Sequence, residues 1–186
     1  MLGLCLFFKQ TIRFIINFMK YLVIFLALWS CATSEEPLKK VSSVDIQKFM
    51  GRWYVIANIP TFVEKGAHNA VETYTWNEKK QRIDIDFRFN KDSPHGEEKT
   101  YPQKAWVYSE SGNEWRVQPL WPLKFSYLVI DLAPDYSWTV IGVPSRSYVW
   151  IMARNKTLDQ STYQGILERL KSQKYNVQKI QLVPQH

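Results

Sequence analysis

The chain has 186 residues, a formal net charge of +7, 46% apolar residues and 15% aromatic residues. That length accommodates one domain with its own core and excludes a second full domain. Residues 1–30 hold three positive charges and no acid, which leaves 21 Lys and Arg against 17 Asp and Glu; a surplus this small and dispersed excludes a nucleic-acid interface.

The first thirty residues differ from the rest. Lys9, Arg13 and Lys20 lead into a nine-residue apolar run from Tyr21 to Trp29. A basic start and a short apolar core fit a secretory leader, and nine residues are too few to span a bilayer. The alternative is a membrane anchor over 12–29, interrupted by Arg13, Asn17 and Lys20; Met19 is an alternative start. Cys5 lies in the leader and Cys31 at its end, so the fold itself has no disulfide and no thiolate metal site. Leu28-Trp29-Ser30-Cys31 resembles a bacterial lipobox, with Trp29 in place of the usual small residue. That resemblance implies an acylated Cys31 (palmitate-type chains) anchored in a membrane. Ala32 in the next position, rather than Asp, implies the outer membrane. Several acyl chains anchor stably where one does not. Residues 32–43 are polar and aperiodic, a flexible tether of about 40 Å reach.

A short helical turn from Ser43 to Met50 runs into Gly51-Arg52-Trp53-Tyr54-Val55-Ile56-Ala57-Asn58-Ile59-Pro60. Glycine permits a sharp bend, and proline ends the strand because it cannot donate to a ladder. Trp53, at the root of this strand, reads as the plug of a barrel. A loop at 61–68 leads to a strand at 69–76 and a turn at 77–80. The next strand, 82–89, alternates strictly, with Ile83, Ile85, Phe87 and Phe89 on one face and charges on the other. Further strands fit 99–109, 114–120, 125–132, 137–143 and 148–154, separated by Gly, Pro, Asn and Asp turns. Eight short strands in series with tight connections predict an all-β fold, an eight-stranded antiparallel up-and-down barrel; a sandwich would need longer crossovers. Tyr163, Ile166, Leu167 and Leu170 then mark one amphipathic helix behind an Asp159 cap, and 177–183 reads as an extra strand along the barrel's outside.

This order, with its motifs, resembles the lipocalins, and within them the bacterial outer-membrane lipoprotein branch similar to apolipoprotein D. The residues are Gly51-Arg52-Trp53-Tyr54 at the first strand, 131–136 (Asp-Leu-Ala-Pro-Asp-Tyr) at the sixth turn, and 148–154 at the eighth strand. The resemblance spans 44–183. The organisation is therefore a leader at 1–30, a lipidated terminus and tether at 31–43, and a lipocalin domain at 44–183. The family pattern implies a structural base in which Arg154 lies across the Trp53 indole beside Gly51 and Asp135. It also implies a fatty acid or lysophospholipid ligand, storage or transport as the role, and a periplasm-facing position on the outer membrane.

Strand parity nominates the calyx wall: Val55, Ala57, Ile59, Tyr74, Ile83, Ile85, Phe87, Phe89, Trp106, Trp115, Val117, Tyr127 and Val129. A single bulge would flip such assignments. Phe62, Trp121, Phe125 and Tyr148 fall at the mouth, with Lys124 or Arg146 to meet a head group. No cofactor or metal is expected, and a homodimer is left open. Catalysis is not expected either, since His68, His95 and His186 lie in loops or at the terminus and no nucleophile or phosphate-loop motif occurs. An enzyme would need buried titratable residues converging in the calyx, with Glu72, Tyr74 and His68 the positions to vary. A further alternative is a structural envelope lipoprotein whose barrel is filled by its own side chains.

Overall fold

Period-two runs bounded by turn residues become an antiparallel meander of eight strands in a computed structural model that describes residues 36–186. The strands are β1 (Gly51–Ile59), β2 (Ala67–Asn77), β3 (Arg82–Lys91), β4 (Glu98–Val107), β5 (Glu114–Leu120), β6 (Leu123–Leu132), β7 (Trp138–Gly142) and β8 (Val149–Ala153). Each pairs with its successor, β8 pairs with β1, and β1 pairs with β2, which closes the barrel. The leader, Cys31 and the first part of the tether lie outside the described residues.

Among the described residues, two α-helices flank the barrel. Helix α1 (Ile46–Phe49) is capped by Asp45, whose carboxylate accepts from the Gln47 and Lys48 N–H groups. Helix α2 (Gln160–Ser172) is capped by Asp159, as its sequence predicts, and buries Ile166 and Leu170. Capping satisfies amide donors that have no partner inside the first turn.

The core has two layers. Inside the barrel, Phe49, Trp53, Val55, Tyr74, Ile85, Phe87, Trp115, Val117, Tyr127 and Val129 form one buried cluster. Outside it, Ile59, Leu128, Ile130, Val140, Val149 and Ile151 pack with Ile166 and Leu170 of α2. β1, β6, β7 and β8 are therefore apolar on both faces, which is why their sequences run continuously hydrophobic where β3 alternates.

Three expectations are corrected. First, the β1–β8 register shifts between Val55 (opposite Met152) and Ala57 (opposite Ile151), leaving Ile56 as the extra residue of a bulge. The bulge reverses the face that follows it. Ala57 and Ile59, expected in the calyx, therefore pack in the outer cluster under α2. Second, the run expected as one strand at 177–183 is a 3-10 turn at Val177–Lys179 followed by the two-residue β9 (Gln181–Leu182) beside β1. Val183 beyond it belongs to the inner cluster. Third, the tether's last residues are tied to the barrel: Leu38 is buried, the Val41 amide donates to the Val129 carbonyl (3.0 Å), and Lys40 pairs with Glu114 (2.7 Å).

The C-terminus completes the seam. Pairing between β1 and β2 runs from Gly51↔Tyr74 to Tyr54↔Val71. Beyond it, the Gln185 side-chain amide donates to the Val55 (2.8 Å) and Ala70 (3.0 Å) carbonyls. The Val183 amide donates to the Ile56 carbonyl (2.9 Å), and the Asn69 amide to the Pro184 carbonyl (2.8 Å). Residues 183–185 thus satisfy backbone groups that two diverging strands would leave unpaired.

Candidate functional site: the calyx

The closed end begins with Trp53, fully buried at the foot of β1. Its indole N–H donates to the Phe49 carbonyl (2.8 Å). The Arg154 guanidinium lies 3.7 Å from the Trp53 ring centroid. It also donates to the carbonyls of Arg52 (2.9 Å), Lys48 (2.8 Å) and Phe49 (3.1 Å), so one side chain ties α1 and β1 to the end of β8. Gly51 has φ +96°, a left-handed conformation that suits glycine, and its backbone lies against Arg154 Nη1. Asp135 accepts from the Ser137 amide (3.0 Å) and holds the β6–β7 turn; it shares a surface cleft with Arg154.

From this floor a chain of aromatic rings runs toward the mouth. Phe49 contacts Trp53 and Trp115, both at 5.0 Å between centroids. Trp115 stacks on Tyr127 (5.3 Å), Tyr127 on Trp150 (6.4 Å), and Trp150 meets Tyr148 (6.2 Å) at the rim. Such offset and tilted contacts suit the ring quadrupole.

A polar group interrupts the apolar wall. Glu72 on β2 is 7% exposed and accepts the Tyr74 hydroxyl at Oε2. The Tyr74 and Tyr127 hydroxyls are 2.5 Å apart. Burial raises the Glu72 carboxyl to about 7, against the pull of the Tyr74 hydrogen bond and with a smaller push from Glu64. Burial, together with the Glu72 charge, pushes both phenols well above their ordinary value. Glu64, from the β1–β2 loop, folds back into the protein: its carboxylate accepts from Trp150 Nε1 (2.7 Å), Asn58 Nδ2 (3.4 Å), and the Thr61 amide (2.8 Å) and hydroxyl (2.5 Å).

Of the wall residues nominated by parity, Val55, Tyr74, Ile83, Ile85, Phe87, Phe89, Trp115, Val117, Tyr127 and Val129 fall in the inner cluster. Ala57 and Ile59 do not, for the reason given above. Trp106 does not either. Ala105 belongs to the inner cluster and Val107 packs against it, so Trp106, between them on β4, faces outward. There it carries the Lys124 ammonium 3.9 Å from its centroid. Lys124 is thus held on the outer wall, and Arg146 donates to the Gln173 carbonyl at the end of α2 (2.7 Å); neither is positioned to receive a head group. Phe62 (85% exposed), Trp121 (81%), Phe125 and Tyr148 do gather at the open end, but they stand out into solvent rather than folding over the calyx. Leu120, Leu123 and Val63 extend this exposed apolar rim.

Glu72, Glu64, Asn58 and Trp150 are absent from the parity list. Glu72 was legible, since it has the same parity as Tyr74 and alternation alone turns it inward. Glu64 sits in a loop, where no periodicity exists to reveal it.

A closed antiparallel barrel, plugged at one end, largely apolar within and rimmed by exposed apolar side chains at the other, defines the class of calyx proteins that take up small hydrophobic molecules. The family model described as "Lipocalin-like domain" matches residues 44–185, and the chain belongs to that family. It is 28% identical over 163 residues to temperature-induced lipocalin-1 of Arabidopsis thaliana, covering 82% of this chain and 86% of that one. It is 24% identical over 157 residues to the outer membrane lipoprotein Blc of Vibrio cholerae, covering 83% and 91%. Among solved structures, insecticyanin from the tobacco hornworm Manduca sexta superposes with a TM-score of 0.61 at 17% identity, over 80% of this chain and 84% of that one. Lipocalins are in general binding and transport proteins.

Proposed function

We propose that this lipocalin is anchored to a bacterial outer membrane through acylated Cys31 and stores or carries a single-chain lipid in its calyx. The fatty acids and lysophospholipids are the class considered. The observation that carries the reading is continuity. An exposed apolar rim at Phe62, Trp121 and Phe125 leads into a buried apolar wall at Val117, Tyr127 and Val129. An acyl chain leaving a bilayer would meet apolar surface along most of this path, and each methylene buried stabilises the complex by about 0.8 kcal/mol. The likeness to Blc, an outer membrane lipoprotein by name, supports the location. The lipobox-like Leu28-Trp29-Ser30-Cys31 supports the anchor.

A second reading is a structural barrel filled by its own rings, which the complete burial of Phe49, Trp53, Tyr74 and Trp115 favours. One experiment separates the two. The full chain is expressed with its leader in a Gram-negative host, extracted from the outer-membrane fraction and examined by native mass spectrometry. One lipid per chain, with Cys31→Ser moving the protein to the soluble fraction, is the expected result. Recovery without lipid supports the filled barrel, and membrane recovery that ignores Cys31 removes the anchor.

A further inference from the structure

We propose that the Glu72 carboxylate, with the Tyr127 and Tyr74 hydroxyls, is a polar subsite inside the calyx that receives the ammonium end of an amine-bearing lipid and disfavours a free fatty acid. The inference rests on the calyx being a ligand site, and it narrows the ligand class within that site.

Geometry makes the case. Glu72 is buried on the inner face of β2, opposite Trp53 of β1 and Phe87 of β3 in the strand register. Its Oε2 accepts the Tyr74 hydroxyl; among the described residues its Oε1 has no hydrogen-bond partner. An acceptor left open in this way is available to a donor that enters the calyx. The wall on the mouth side of Glu72 along β2 is small, with Ala70 and Ala67 in the inner cluster, so the approach to Oε1 is lined by methyl groups.

The charge inside the barrel has one sign. The titratable groups facing Glu72 are Tyr74 on its own strand, Tyr127 from β6 and Glu64 from the β1–β2 loop. β1 and β3 face it with the uncharged Trp53 and Phe87. Arg154 lies over the Trp53 ring at the floor, donating to three backbone carbonyls, and its charge reaches the subsite only through Tyr74. Lys124 is on the outer wall. A carboxylate entering the calyx would meet the carboxylates of Glu72 and Glu64. An ammonium would meet the same groups as attractions, with three N–H donors to share between Glu72 Oε1 and the phenol oxygens.

Glu72 also makes the preference depend on pH. Burial lifts its carboxyl to about 7, so the site is a carboxylate in mild alkali and a neutral acid in mild acid. In the neutral form it loses its charge and gains an O–H donor beside its remaining carbonyl acceptor, so its discrimination between a cation and an anion falls.

The test is displacement of a fluorescent acyl probe by dodecylamine, dodecanol and dodecanoate, using the wild type and Glu72→Gln. At about pH 8.5, where an alkylammonium is charged and Glu72 is ionised, dodecylamine should displace the probe at least about tenfold more tightly than dodecanoate. The ratio should fall severalfold at about pH 5.5 in the wild type, and should fall likewise in Glu72→Gln at either pH. Dodecanol should change by less than about threefold across all four conditions. Equal displacement by amine and carboxylate, or a preference that persists in Glu72→Gln, overturns the subsite while leaving the calyx intact. A probe that does not bind at all overturns both. The pH series on the wild type reads the same effect should Glu72→Gln fail to fold.

Discussion

The guanidinium of Arg154 covers the indole of Trp53 at 3.7 Å from the ring centroid, and 100 residues lie between the two in sequence. The pair joins the beginning of the first strand to the end of the eighth, so it reports on closure of the barrel as a whole. A guanidinium on a desolvated indole contributes up to about 2 kcal/mol, and three backbone carbonyls lose their donor with it. Arg154→Ala should therefore lower stability by about 2–4 kcal/mol in denaturant unfolding. Arg154→Lys should fall between, because an ammonium keeps the charge without the planar fork.

Glu72 sets a pH dependence of stability whose sign can be worked out. Its carboxyl is raised from 4.5 unfolded to about 7 folded. Below pH 4.5 it is protonated in both states and costs nothing. Between 4.5 and 7 the folded protein holds the proton more tightly, so stability falls as pH rises, and above 7 the loss is complete. The size is on the order of 3 kcal/mol. Glu72→Gln should consequently gain more stability over the wild type at pH 8 than at pH 4, as read by thermal unfolding across that range.

Removing residues 183–186 should open the seam between β1 and β2. The truncation loses the buried Val183 side chain and the Gln185 bridge between the Val55 and Ala70 carbonyls. Burial of a valine and the four hydrogen bonds made by residues 183–185 together suggest a loss of about 4–6 kcal/mol. Amide exchange should rise at Ile56 to Ile59 and at Asn69 and Ala70, and stay unchanged at the β3–β4 pairing.

Ala57 separates the two layers of core. Enlarging it to Leu should overpack the contact with α2 and destabilise by about 1–3 kcal/mol. Affinity for an acyl probe should be unaltered, since the side chain points away from the calyx. Val117→Leu, on the inner wall, should change affinity instead.

Much of this architecture was readable beforehand. Strict alternation in β3, the Gly51–Trp53 spacing, Arg154 and the Tyr163–Leu170 stripe each placed an element correctly, because period and turn chemistry are local properties. Where the reading failed, the cause was not local. The bulge at Ile56 depends on how β1 accommodates β8, and it moved Ala57 and Ile59 to the other face. Strand parity turns Trp106 inward, whereas the small Ala105 and the aliphatic Val107 are what the inner packing accepts. Residues 177–183 look like a strand, but the 3-10 turn at Val177–Lys179 leaves only Gln181 and Leu182 to pair with β1. From the sequence Glu72 stands out only as a position an enzyme would use, although its parity with Tyr74 also turns it inward as part of the wall.

Titration of the purified chain with a fluorescent acyl probe, followed by displacement with unlabelled lipid, tests the ligand-binding calyx most directly. A saturable signal at one site per chain, reversed by a single-chain lipid, is the outcome predicted from the apolar wall between Phe125 and Trp53. Absence of any saturable signal up to the solubility limit of the probe would mean that the barrel is filled by its own side chains and carries nothing.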